Sequence, residues 1–152
     1  MANPPLPGTS PARLTLAADR AGDLMAPNPV SIEAGAPVTE AIALLTDRGL
    51  SAAPVIDEAG HPRGVISRDD ILVHERERLA TRAPGAAPAG APDLTRVADI
   101  MTPTVFSVPP DTPARAVVEQ LLGLHVQQLF VVDGAGALIG SISTFDVLRH
   151  LA

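Results

Sequence analysis

Asp23-Leu24-Met25-Ala26-Pro27 recurs as Asp99-Ile100-Met101-Thr102-Pro103, and the match extends far beyond those five residues. Carried forward without a gap at the same offset of 76 residues, Ser31 falls on Ser107 and Pro37 on Pro113. Val55-Ile56-Asp57-Glu58-Ala59-Gly60 falls on Val131-Val132-Asp133-Gly134-Ala135-Gly136, and Gly64-Val65-Ile66-Ser67-Arg68-Asp69-Asp70 on Gly140-Ser141-Ile142-Ser143-Thr144-Phe145-Asp146. About 16 of the 52 positions from Asp23 to His74 are identical to their counterparts, far more than the few that chance supplies. One unit is therefore written twice.

Each unit reads as strand, helix, strand, strand, helix. Residues 29–32 and 104–108 are short β-branched or aromatic runs that end at turn residues, which predicts brief strands. Pro37 and Pro113 stand where a first helical residue tolerates proline, the latter behind Thr112 as an N-cap. Val38, Ile42, Leu45 and Val117, Leu121, Leu124 recur at helical spacing, so each helix is expected to bury one stripe. Residues 53–57 and 129–133 are compact apolar strands, and Gly-containing turns send them into 64–67 and 138–143, a hairpin in each half. The last helix of each unit opens at Ser67 or Ser143. Residues 83–92, rich in Ala, Pro and Gly, read as a linker, and residues 1–16 as a flexible tail. The halves then run over 17–82 and 93–152.

Composition narrows the chemistry. A chain of 152 residues can bury a sizeable core, and its 46% hydrophobic share is aliphatic, with three Phe and no Trp or Tyr. The net charge of −6, with Arg scattered singly, argues against a nucleic-acid partner. Cysteine is absent, so there are no disulfides, thiolate nucleophiles or thiolate ligands, in keeping with a cytoplasmic setting. All eleven basic residues are Arg, and without lysine neither a Schiff base nor a P-loop is available. No apolar run approaches the roughly 18 residues of a membrane span, and the first eight residues, with neither a basic nor an apolar stretch, are not expected to act as a signal peptide. His61, His74, His125 and His150 show no zinc-motif spacing, so no metal is expected; His74 and His150 read as helix-surface residues and 74–78 as a solvated helix face.

The doubled pattern D-[LI]-M-x-P, then P-V-I-D or V-V-D, then G-x-[IV]-S-x-x-D-[IV]-L resembles the CBS motif in its tandem arrangement, the Bateman module. The resemblance covers everything except tail and linker, and suggests a stand-alone pair with no catalytic activity. It implies an α/β (α+β) fold in which two β-α-β-β-α motifs pack about a pseudo-twofold axis, leaving two clefts, and commonly a homodimer. Members of the family typically hold AMP, ADP, ATP or S-adenosylmethionine in those clefts; no other cofactor is implied.

Within that frame the candidate ligand contacts are Ser67 with Asp70 and Ser143 with Asp146, each pair at a helix N-terminus. A carboxylate can accept from both hydroxyls of a ribose, and phosphates can meet free backbone N–H groups there, aided in the first half by Arg68, for which Thr144 stands in the second. The same S-x-x-D spacing is also a helix capping box, and the two duties are compatible. The resemblance places an adenine slot at Asn28, Val30, Leu50 and Ser51 in one half and at Thr104, Phe106, Val126 and Gln127 in the other; core packing is the competing reading of each. Some nucleotide-sensing members carry His or Arg where Ser51-Ala52 and Gln127-Gln128 stand here, which argues against a tightly held polyphosphate. The expected function is a regulatory module whose cleft occupancy is read by a protein partner. The alternative is a ligand-free adaptor dimer that interacts with a partner through its surface.

Overall fold

The computed structural model describes residues 15–80 and 93–151. Most of the tail and the whole linker therefore lie outside the described residues.

The first half runs through helix α1 (Ala21–Leu24), strands β1 (Ala26–Pro27) and β2 (Ile32–Glu33), helix α2 (Val38–Arg48), strands β3 (Ala52–Ile56) and β4 (Pro62–Ser67), and helix α3 (Arg68–Ala80). The second half repeats the order with α4 (Val97–Ile100), β5 (Ser107–Val108), α5 (Ala114–Leu124), β6 (Gln128–Val132), β7 (Leu138–Ser143) and α6 (Thr144–Arg149). In each half the first strand lies parallel to the second, with α2 or α5 as the crossover, and the second pairs antiparallel with the third as a hairpin. The two sheets run β2-β3-β4 and β1-β7-β6-β5.

The second sheet contains a strand of the first half, and this exchange organises the molecule. Ala26 and Pro27 pair with Ser141 and Gly140 of β7. Reciprocally, Thr102 pairs with Val65 of β4 through two backbone hydrogen bonds of 2.9 Å. The helices just ahead of these segments follow suit. Ala21 and Leu24 are buried among Val108, Val117, Leu121, Leu129, Val131 and Ile142, all of the second half, whereas Val97 is buried among Ile32, Ala41, Leu45, Ala53, Val55 and Ile66 of the first. The repeat in sequence is thus not the packing unit, because each core is closed by the leading residues of the other half. Burying a leucine such as Leu24 contributes about 1.5–3 kcal/mol, so neither half completes its core alone.

The duplicated Met and Gly of the motif belong to this exchange. Met25 crosses Gly140 and Met101 crosses Gly64 so closely that a Cβ on either glycine would overlap its neighbours. The hairpin tips meet as well. The Leu138 N–H donates to the Gly60 carbonyl at 2.9 Å, and His61 Nε2 lies 2.8 Å from the Ala135 carbonyl oxygen. Asp57 and Asp133 each accept two backbone N–H bonds inside their own turn. In Asp57, the His61 N–H bond, joined by Arg63, holds the carboxyl below its usual range against a smaller opposing effect of burial.

Three expectations shift. The first strands form only at Ile32–Glu33 and Ser107–Val108, later than the apolar runs suggested. Pro37 and Pro113 are N-caps rather than first helical residues, and Thr112 caps nothing with its side chain. A proline cap offers no side-chain acceptor, so the first helical N–H groups go elsewhere: Val38 donates to Thr95 O and Ala114 to Asp19 O, both at 2.9 Å and both across the halves. The α5 stripe is Ala114, Val117 and Leu121, and Leu124 at the helix end stays 41% exposed.

Candidate functional site

Both S-x-x-D segments are formed capping boxes. The Ser67 and Asp70 backbone N–H groups donate to Asp70 Oδ2 (2.9 Å) and Ser67 Oγ (3.1 Å), and the Ser67 hydroxyl donates to Oδ2 at 2.9 Å. Ser143 and Asp146 repeat this at 2.8, 3.1 and 3.0 Å. Neither aspartate is turned to bulk solvent: Asp70 is half-buried and the Asp146 side chain is 14% exposed. In each box Oδ2 is committed to the helix end, so the other oxygen decides what more the carboxylate can do. Thr102 of the opposite half donates its hydroxyl to Asp70, at 3.2 Å from Oδ1 and 3.4 Å from Oδ2. Asp146 Oδ1 instead has Arg149 Nη1 at 3.9 Å.

Thr104, Phe106, Val126 and Gln127 come together as the lining of one hollow of about 260 Å³, with Gln128, Phe130 and Val65. Val65 belongs to the first half, two residues before Ser67 on β4, and is bonded to Thr102. The slot of the second half therefore borders the Ser67–Asp70 helix mouth of the first, an exchange that the sequence reading did not specify. Ser67 and Asp70 do not line the slot themselves. Asp70 lines another hollow of about 250 Å³ with Val73, His74, Glu77, Asp99 and Ile100, and Thr102 is hydrogen-bonded both to Asp70 and to Val65 of the slot. The corresponding residues in the first half are Asn28, Val30, Leu50 and Ser51. Asn28 has a left-handed backbone (φ 50°) and donates its N–H to Ile139 O at 3.1 Å, and Val30 is 37% exposed.

The geometry is that of two interlocked repeats, and comparison with known sequences names them. The sequence profile of the CBS domain matches residues 21–77 and 97–152. The chain belongs to the CBS domain family. It is similar to the magnesium transporter MgtE of Thermus thermophilus, 33% identical over 138 residues, which are 88% of this chain and 27% of the transporter. It is also similar to the 5'-AMP-activated protein kinase subunit gamma-3 of Bos taurus, 28% identical over 116 residues, 76% of this chain and 22% of the subunit. The CBS pair thus spans only about a quarter of the length of these relatives. Among solved structures, CBSX2 in complex with AMP matches with a TM-score of 0.68 at 28% identity, over 87% of this chain and 95% of that one. The cytosolic domain of the Mg2+ channel MgtE in complex with ATP matches with 0.67 at 31%, over 91% and 50%.

Within this CBS pair, Arg68 is not among the slot residues. Its Nε donates to Leu50 O at 2.8 Å, and its side chain lines a groove of about 370 Å³ between α2 and α3 with Ile42, Leu45, Thr46, Ile71 and Leu72. That placement leaves the help expected from it at a phosphate without geometric support. His74 also departs from expectation. It is 10% exposed at its side chain and lies 2.8 Å from Asp93, just ahead of the second CBS domain, with Arg78 3.7 Å from the same carboxylate and 3.1 Å from Glu75. The solvated helix face is thus partly an ion-pair network joining the domains. Burial pulls the Asp93 carboxyl up, but hydrogen bonds from Thr95 and His74 outweigh it and hold its pKa at about 2. His74, Glu75 and Asp93 could together offer three metal ligands, but the pairing to Arg78 already accounts for their grouping. Signals for this network were present in the sequence only as charges 19 residues apart, a spacing with no local meaning.

Proposed function

We propose that this chain is a regulatory ligand-binding module that takes up an adenine nucleotide or a related adenosyl compound between its CBS domains. The observation that carries the reading is the slot of Phe106, Val126, Thr104 and Gln127, joined through Thr102 to the Asp70 carboxylate. Aromatic and aliphatic walls suit the faces of a base, a polar rim suits its edge, and a carboxylate suits the hydroxyls of a ribose. That CBSX2 was solved with AMP and the MgtE cytosolic domain with ATP supports the ligand class. A ligand in this place touches both domains, and its occupancy biases their arrangement, which a protein partner reads. No reaction is proposed: the module is read as a cytoplasmic sensor rather than an enzyme. Calorimetric titration with AMP, ADP, ATP and S-adenosylmethionine tests this. Saturable heat from at least one, lost in Asp70→Ala, is the expected result; silence from all four overturns it.

A second reading, a ligand-free adaptor dimer, draws on the helical surface. Leu72, Val73 and Leu79 on α3, Leu122 and Leu124 on α5, and Phe145 and Leu148 on α6 are all exposed. Leu72 and Leu148 are equivalent positions of the repeat, so an exposed leucine recurs on both domains, whereas Leu122 stands where the first half has Thr46. A homodimer through these helices fits either reading, and the titration separates them.

A further inference from the structure

We infer that the two clefts of this CBS pair are unequal, and that an adenosyl ligand enters only the one bordered by Asp70 and Thr102, one molecule per chain. This rests on the ligand class proposed above and assigns its place. Superposing the halves by the repeat sets each wall residue against its counterpart. The walls Val65, Phe106 and Phe130 of the first cleft become Ser141, Val30 and Pro54 in the second. Both aromatic rings are lost, and with them the stacking surface that would receive a base.

Backbone pairing points the same way. In the second cleft, Ala26 and Pro27 form β1 on β7, and Asn28, turned into the left-handed region, extends the contact by its bond to Ile139. Among the described residues, the reciprocal pairing stops at Thr102 and Val65. Pro103 still lies against Gly64, and only past it do Thr104 and Phe106 line the hollow. Both leading segments cross the opposite sheet, but the Asn28–Ile139 bond carries the pairing one step further in the second cleft than in the first.

The carboxylates differ too. The Asp70 partner is the neutral Thr102 hydroxyl, which a ribose hydroxyl can replace like for like. Its counterpart in the repeat is Ala26, which offers no hydroxyl to Asp146, and Asp146 faces the Arg149 cation, which replaces Val73. A sugar hydroxyl would have to compete with an ion pair there.

The test is calorimetry on the full chain with AMP, ADP, ATP and S-adenosylmethionine in turn, using whichever binds most tightly. One site per chain is expected. Asp70→Asn and Phe106→Ala should each weaken binding tenfold or more, whereas Asp146→Asn and Val30→Ala should change it less than twofold. Phe106→Ala lies outside the capping box, so its effect is separable from helix destabilisation, and melting curves check that each variant is folded. Two sites per chain, or equal sensitivity to both aspartate variants, overturns the inference while leaving the ligand class standing. Silence from all four compounds overturns both.

Discussion

Replacing Gly64 by alanine tests the interlocking of the halves at its tightest point. A Cβ there would overlap the Thr102 carbonyl oxygen and stand 3.0 Å from Met101 Sδ and 3.2 Å from Pro103 Cα. Two of these obstacles are backbone, so the segment itself must move. Overpacking of this kind costs about 1–3 kcal/mol. The movement also strains the two Val65–Thr102 backbone bonds, each with a net contribution of about 1 kcal/mol. Gly64→Ala should therefore lose about 2–5 kcal/mol, a large share of the roughly 5–15 kcal/mol typical of a domain. Gly140→Ala is the internal control, because the nearest atoms to its Cβ belong to the Met25 side chain, with Sδ overlapping, Cγ at 3.0 Å and Cβ at 3.1 Å. It should cost about 1–3 kcal/mol, and less again when Met25 is also alanine. Met101→Ala should give no such relief to Gly64→Ala, since the carbonyl remains. Urea unfolding of the two single variants and the two double variants supplies all the comparisons. A Gly64→Ala protein within about 0.5 kcal/mol of the parent, the scatter of harmless surface changes, would refute the crossing of the leading segment over β4.

Other consequences are independent of that crossing. Ser143→Ala removes a cap that accepts the Asp146 N–H at 3.1 Å and should cost about 1 kcal/mol in urea unfolding; no loss would mean that the box is not closed in solution. Asp93, held at about 2 against 3.8 for an unperturbed carboxyl, binds protons more weakly folded than unfolded. Its contribution is complete above about 4 and is lost as pH falls toward 2. Asp93→Asn should flatten the acid limb of a stability-versus-pH curve over that window, and an unchanged slope would discount the His74 network. Leu72→Glu and Leu148→Glu should shift the protein to monomer in sedimentation equilibrium if the α3 and α6 faces form a homodimer; a parent that is already monomeric refutes that surface.

How much was legible depended on whether a signal was local or doubled. The repeat fixed the order of elements because Asp, Met, Pro, Gly, Ser and Asp recur at one offset, and each answers a local need such as a turn, a cap or an apolar strand. The start of each helix is not legible locally, because behind the N-cap residues Pro37 and Pro113 the Val38 and Ala114 N–H groups donate to the carbonyls of Thr95 and Asp19, neither adjacent in sequence. Leu124 fits a helical period, yet it sits where α5 runs out of core to face. In the site, the four residues Thr104, Phe106, Val126 and Gln127 do converge, whereas Asn28, Val30, Leu50 and Ser51 have Val30 exposed and Asn28 tied to β7. A resemblance transfers positions; it does not transfer whether two rings and a hydroxyl occupy them.

The exchange of leading segments also bears on the proposed sensing role. Were each half a closed unit, a ligand resting between them would touch two finished surfaces and could leave both unchanged. Here the residue that reaches Asp70 is Thr102, and the same residue supplies the backbone pairing that seals β4. Its neighbour Met101 packs against the first core, and Thr104, two residues on, lines the slot. A ligand that displaces the Thr102 hydroxyl therefore acts on a segment that is at once the wall of the cleft and the seal of the opposite sheet. On the proposed reading, differential affinity for two arrangements of the halves, the requirement for any ligand-driven shift, would arise at that segment.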